Sequence, residues 1–323
     1  MAAVKCEISV VKECCAQLGE GPHWDESSQR LIWVDIFGTS VHLLDPVTGK
    51  DEKYNFDGAV GAAVPRRKGG SLVVAAERDF IFLDLEVTSQ AIVSMMENVI
   101  QLVVSGQTLK MTASQSFQMP PTSQDLTNPP FPETMRFCQG TMGPEPIPTQ
   151  VVPNQGSLYS LNCDHTVQSH VDKISISNGI AWDTDKKIFY HADTAERKID
   201  AFDYDKTSGA LFNRRTVINV DPALGHPDGM TIDVEGKLWV AIYNGGKIVR
   251  YDPDTGKPQS YVDLPVRITT SCCWAGPKFD ELIVTSESAR LTEEEKQEQP
   301  LAGSIFRIRN LGTNGLPPVA FNG

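Results

Sequence analysis

Glu20-Gly21-Pro22-His23-Trp24-Asp25, Asn178-Gly179-Ile180-Ala181-Trp182-Asp183 and Asp228-Gly229-Met230-Thr231-Ile232-Asp233 are one phrase written three times. Each opens on an oxygen-bearing residue followed by Gly, carries a large apolar residue four positions on, and closes on Asp. A second shared phrase follows each. It is an apolar run (Leu31-Ile32-Trp33-Val34-Asp35, Ile188-Phe189-Tyr190-His191-Ala192-Asp193, Leu238-Trp239-Val240-Ala241), then a strand, then a turn. The turns are Asp45-Pro46-Val47-Thr48-Gly49, Asp205-Lys206-Thr207-Ser208-Gly209 and Asp252-Pro253-Asp254-Thr255-Gly256, in which Gly supplies a positive φ and Pro, where present, presets its own. One position of a structural unit is thus used three times to present a side-chain oxygen.

Working outward, further units start near Gly61 and Ser271, so the starts fall near 20, 60, 178, 228 and 271, spaced by 40 to 50 residues except for one gap of double length or more. That gap should hold another start. Residues 6–18 read as a strand, 31–45 as a hairpin, Gly156-Ser157-Leu158-Tyr159-Ser160-Leu161 as the outer strand of a unit begun upstream, and Gly303-Ser304-Ile305-Phe306-Arg307-Ile308 as the closing strand. Four-stranded units at this period, with almost no amphipathic helix, predict an all-β six-bladed propeller. The N-terminal strand is expected to pair with C-terminal strands, which removes two free sheet edges.

In a propeller, equivalent residues at the start of each innermost strand surround the central channel. Glu20, Asn178 and Asp228 should therefore converge there. Two carboxylates and an amide oxygen call for a counter-cation, and a hard divalent ion is satisfied by such oxygens. No His recurs at the position, which weighs against a nitrogen and sulfur zinc site. Asp and Asn also suit tight turns for conformational reasons alone. Glu has no such advantage, so Glu20 points to a ligand.

Composition sets the outer bounds. The chain has 323 residues, 40% hydrophobic and 22% charged, enough for a full core, and a formal net charge of −12 that opposes nucleic acid or an anionic membrane as partner. Lys5, Glu7, Lys12 and Glu13 interrupt the N-terminal apolar positions, so a cytoplasmic location is expected. Seven cysteines, including the adjacent pairs Cys14-Cys15 and Cys272-Cys273, show neither zinc spacing nor a disulfide framework and read as free thiols.

Gly19-Glu20-Gly21-Pro22-His23-Trp24, Ile176-Ser177-Asn178-Gly179-Ile180-Ala181-Trp182, Ala201-Phe202-Asp203-Tyr204-Asp205, Pro227-Asp228-Gly229-Met230, Glu235-Gly236-Lys237-Leu238-Trp239-Val240-Ala241 and Thr269-Thr270-Ser271-Cys272-Cys273 resemble the regucalcin (senescence marker protein 30) and gluconolactonase family. The first also resembles its luciferin-regenerating branch. The likeness spans residues 15–95 and 136–323. It implies one channel metal held by Glu20, Asn178 and Asp228, Asp228 doubling as general base, and hydrolysis of a small-molecule sugar lactone. Ca2+ is the first expectation, with Zn2+, Mn2+ and Mg2+ open because cavity size and ligand count decide among them. Glu145, three residues beyond Gly140-Thr141-Met142, falls where the family has an acidic residue touching sugar hydroxyls. A monomer is expected.

One departure bears on function. The family's Arg-x-Asn-Asp-Gly phrase before Gly-Thr-Met, whose Arg and Asn contact substrate, has no counterpart here. Its place is taken by Val99-Ile100-Gln101-Leu102-Val103-Val104-Ser105-Gly106-Gln107 and a polar run with Pro120-Pro121, Pro129-Pro130 and Pro132, which show neither strand alternation nor helical period. The chain reads as one domain, 1–323, with 99–135 a low-order insert in place of an inner strand: a disordered loop, an alternative exon or a gene-model product. The reading is a lactonase of reduced or absent activity with metal binding partly kept; the alternative is a noncatalytic calcium-binding regulatory or scaffold propeller.

His226 beside Pro227-Asp228 is a weaker candidate for proton transfer. Ser286 and Ser288 lack a nucleophile elbow. Glu293-Glu294-Glu295-Lys296-Gln297-Glu298 reads as a solvated loop or helical turn, and Asn244-Gly245-Gly246 as a hairpin turn.

Overall fold

The computed structural model describes residues 1–67, 70–77, 79–85, 90–94, 99–104, 107–112, 136–146 and 150–323, those from 90 to 112 as backbone alone. Two strands come first, β1 (Ala2–Ala3) and β2 (Glu7–Lys12). Blade 1 is β3 (Gly19–Asp25), β4 (Arg30–Asp35), β5 (Ser40–Leu44) and β6 (Asp51–Asn55). Blade 2 is β7 (Val60–Pro65), β8 (Ser71–Ala76), β9 (Asp79–Asp84) and β10 (Gln90–Ser94), extended by β11 (Val99–Val104) and β12 (Gln107–Thr112). Blade 3 is β13 (Phe137–Gly140), β14 (Gly156–Leu161) and β15 (Val167–Ile174). Blade 4 is β16 (Ser177–Asp183), β17 (Ile188–Asp193), β18 (Lys198–Tyr204) and β19 (Leu211–Asn219). Blade 5 is β20 (His226–Ile232), β21 (Leu238–Tyr243), β22 (Lys247–Asp252) and β23 (Lys257–Asp263). Blade 6 is β24 (Thr269–Ala275), β25 (Glu281–Ser286) and β26 (Ile305–Arg309).

Six sheets make a six-bladed β-propeller. Inner strands touch in sequence, β3 with β7, β16 with β20, β20 with β24, and β24 back to β3. The ring closes as the sequence suggests: β2 pairs antiparallel with β26 and completes blade 6. The N-terminal strand ends at Lys12, short of the expected 18, and Gly156–Leu161 is a middle strand, lying between β13 and β15. Between blades lies the core, where Leu31, Ile32, Trp33, Leu72, Phe189 and Trp239 are fully buried. Each large aliphatic side chain so buried contributes about 1.5–3 kcal/mol.

The three Asp-led turns take one conformation, with Gly49, Gly209 and Gly256 at φ 73, 75 and 70°. Asp45 accepts from the amides of Val47 and Thr48, and Asp205 from those of Thr207 and Ser208. Asp35 and Asp193, which end the apolar runs, do another local task. Asp35 accepts from the amides of Gln17, Leu18 and Gly38, and Asp193 from those of Ser175 and Ile176, tying each blade's entry to its second strand.

The expected absence of strands across 99–135 is corrected over 99–112. Residues 99–104, four of six of them Val or Ile, pair antiparallel with the outer edge of blade 2, and 107–112 with them, because an open edge offers unpaired backbone groups. Residues 113–135 lie outside the described residues. Blade 3 is the short sheet: β13 stands in the second-strand position, and no strand is described on its inner side. The acidic run forms α1 (Glu293–Glu298), a short helix with a capping box between Thr292 and Glu295.

Candidate functional site

Every inner strand that starts a blade carries a β-bulge at the same place. Register breaks fall between Glu20 and His23, Val60 and Ala62, Ser177 and Ile180, Pro227 and Met230, and Thr269 and Cys272. A bulge re-aims the side chain it carries. Counting from the preceding pairs, Glu20, Gly61, Asn178, Asp228 and Thr270 are equivalent. The repeated phrase is the sequence of this bulge.

The Gly after each donor has a packing reason. A Cβ on Gly179 would stand 2.5 Å from the Asp228 carbonyl oxygen and 2.7 Å from the Met230 nitrogen, and one on Gly229 would collide with Ser271. Neighbouring inner strands approach here as closely as backbone allows. Not every blade offers an oxygen to the axis: Gly61 has none, and Thr270 gives its hydroxyl to the Gly19 carbonyl at 2.5 Å. Ser271, taken from sequence as a unit start, occupies the place of the Gly and hydrogen-bonds the Glu20 carboxylate.

The donors act on one another electrically. Burial pushes Asp228 well above the ordinary carboxylate range; Glu20 and then Glu287 raise it further, against a hydrogen bond from Asn178 and the charge of Arg290. Burial raises Glu20 to about 7, and the charge of Glu287 adds to this, opposed by the Gly21 amide, whose nitrogen donates to Oε2 at 2.9 Å, and by Ser271. Glu287, 0% exposed, is also raised by burial and opposed by Tyr243 and Arg290. Tyr243 donates its hydroxyl to Glu287 at 2.8 Å, and Arg290 lies 3.4 Å from the same carboxylate.

Strand pairing sets which end of the ring this is. Gly19 pairs with Asp35 and Ser177 with Asp193, so inner strands begin where second strands end. Loops leaving the second strands share that end. They bring Phe37 from blade 1, Glu145 from blade 3, and Glu287 and Arg290 from blade 6, while Tyr243 ends the second strand of blade 5. Arg290 Nη2 donates to both Glu145 oxygens at 3.1 Å, and its guanidinium lies 5.0 Å from the Phe37 ring centre. Glu145 thus reaches the donor group through Arg290.

Glu287, Tyr243 and Arg290 escaped the sequence reading because they belong to no repeat. The available signal was an acidic residue directly after the apolar strand Glu281–Ser286. His226 does not fit proton transfer. Arg197 Nη2 donates to its Nε2 at 2.9 Å and its Nδ1 faces the Thr194 carbonyl at 3.2 Å, so both ring nitrogens are occupied. Ser286 and Ser288 give their hydroxyls to the Ser304 and Ala16 carbonyls. All seven cysteines are thiols outside any disulfide. Among the described residues no helix is long and apolar enough to cross a membrane.

Among the described residues no three His, Cys, Asp or Glu side chains group as a metal cage, so the donor set counts two carboxylates and an amide. Its chemistry suits a hard divalent cation: the donors are oxygens, and mutually repelling buried carboxylates are charged together only beside a positive charge.

The fold and site define a six-bladed propeller with an acidic channel end. Residues 18–288 match the model of the SMP-30/gluconolactonase/LRE-like region, and the chain belongs to that family. It is 39% identical to a regucalcin of Xenopus laevis, each chain covered in full. Among solved structures it is similar to a luciferin-regenerating enzyme, at 28% identity, TM-score 0.76, covering 98% of this chain and 100% of that one. It also shares its fold with a calcium-binding regucalcin of Agrobacterium tumefaciens, at 20% identity and TM-score 0.77, with both chains fully covered.

Proposed function

We propose that this chain hydrolyses small sugar lactones with the help of one divalent cation held by Glu20, Asn178 and Asp228. The observation that carries this is the register equivalence of those residues together with the mutual field of Glu20 and Asp228. A bound divalent ion supplies Lewis-acid polarisation of the lactone carbonyl and a more acidic water. The chain's own residues do the rest. Asn178 holds the Asp228 carboxylate by its amide, and Gly21 and Ser271 hold that of Glu20. Asp228 is the general base: it takes a proton from the attacking water as oxygen bonds to the carbonyl carbon, and the ring C–O bond then breaks, that proton passing to the departing alkoxide. Burial of Asp228 and Glu287 keeps bulk water from competing for these hydrogen bonds.

A second reading, a noncatalytic divalent-cation-binding propeller, is favoured by blade 3, where no inner strand stands inside β13 among the described strands. Gluconolactone hydrolysis by metal-stripped protein, then with Ca2+, Zn2+, Mn2+ or Mg2+ restored, separates the two. Metal-dependent turnover lost in Asp228→Asn supports the hydrolase. Stoichiometric cation binding without turnover selects the second reading.

A further inference from the structure

Blades 3 and 6 stand three steps apart in the ring, so the contact between Arg290 and Glu145 crosses the channel mouth from one side to the other. It is not a surface ion pair: both side chains are partly buried, with accessibilities of 25% and 21%. Arg290 also acts on Asp228, which places its charge close to the proposed reaction centre. Beneath the guanidinium lies Phe37, 42% exposed although aromatic. Beside it Tyr243, Asn244, Arg267, Ile268 and Arg290 line a cavity of about 350 Å3.

We propose that Arg290 is the specificity-determining residue of this site, and that with Glu145 and Phe37 it clamps the hydroxylated ring of the ligand. The inference rests on the lactone reading and names what selects the lactone. Glu145 offers two acceptor oxygens and Arg290 a planar fork of donors, already matched to each other at 3.1 Å. Two neighbouring hydroxyls on a ring carry both donors and acceptors at a similar spacing, so they insert between the pair and preserve its hydrogen bonds. The apolar C–H face of the ring rests on Phe37. The ligand class is neutral. Glu287 and Glu145 pair with one guanidinium, which also acts on Asp228, and Glu20 adds its charge beside Asp228, a balance that repels an anionic ligand even with a divalent cation present.

The test uses calorimetry on cation-loaded protein with an anhydrohexitol, a sugar ring without a reactive carbonyl, and tetrahydropyran as the ring without hydroxyls. The expected result is binding of the anhydrohexitol alone. Arg290→Lys, which keeps the charge and loses the fork, weakens it at least about tenfold, and Phe37→Leu about threefold. On gluconolactone the Arg290→Lys loss falls on KM rather than kcat. Wild-type protein that does not prefer the anhydrohexitol overturns the proposal, and so does Arg290→Lys binding it as tightly as wild type. If the anhydrohexitol binds as expected and no lactone is turned over, the hydrolase reading fails and the clamp stands.

Discussion

Blades 5 and 3 contrast most clearly within one ring. In blade 5 the inner strand β20 carries Asp228, and the second strand β21 has five of its six residues buried. In blade 3 the strand in the same position, β13, buries one of four, and Cys138, Gln139 and Gly140 are half-exposed. The inner strand β20 covers the strand behind it and carries Asp228 as well; among the described residues no strand covers β13 in the same way. Blade 3 contributes through the loop after β13 instead, by way of Glu145.

This comparison can be broken by substitution. The largest effect is expected at Asp228 in blade 5: Asp228→Asn should lower kcat/KM on gluconolactone by about 100-fold or more, the range of a lost general base, and weaken cation binding in calorimetry. Equal turnover would remove Asp228 from the reaction. Next comes burial. Ile242→Ala in β21 should destabilise by about 2–5 kcal/mol in urea unfolding, against under about 1 kcal/mol for Cys138→Ala in β13. Similar values would show that β13 is covered as well as β21.

Close packing of inner strands should matter a little less. Gly179→Ala pushes a methyl against the backbone of Asp228 and Met230 and is expected to cost about 1–3 kcal/mol. Gly140→Ala would set its methyl against the Ser177 Cβ, which no side-chain rotation removes, and is expected to cost a similar amount.

The last effect is of pH. Glu20 binds its proton more tightly folded, at about 7, than unfolded, at its usual 4.5. The folded state then holds more protons between those values, so stability of chelator-treated protein should fall as pH rises from 5 to 8, by about 1–3 kcal/mol. Added Ca2+ should raise the melting temperature more at pH 8 than at pH 5. A melting temperature that rises with pH in the stripped protein would sink the argument.

Much of this was legible in the chain. The x-Gly phrase is short-range: it recurs at one position of three units, and Gly179 and Gly229 leave no room for a Cβ against the neighbouring inner strand, so Glu20, Asn178 and Asp228 announced their equivalence before any coordinates. The Asp-led turns were equally plain, because positive φ at Gly49, Gly209 and Gly256 is a local demand. Strand order over 99–112 was missed for the opposite reason. Those residues carry no turn-bounded alternation, and they pair because an edge of blade 2 is open to them.

By itself, then, the sequence determined the repeat, the closure of the ring and the equivalence of Glu20, Asn178 and Asp228, all of which can be read from a period along the chain. Only the tertiary structure decided that Thr270 is spent on a neighbouring carbonyl, that Glu287 is a third carboxylate in the field of Asp228, and that Arg290 meets Glu145 across the channel. Arg290 and Glu145 lie 145 residues apart, and Thr270 and Gly19 251. Their meeting is set by closing a ring, and no local pattern records which loops a closed ring will face toward one another.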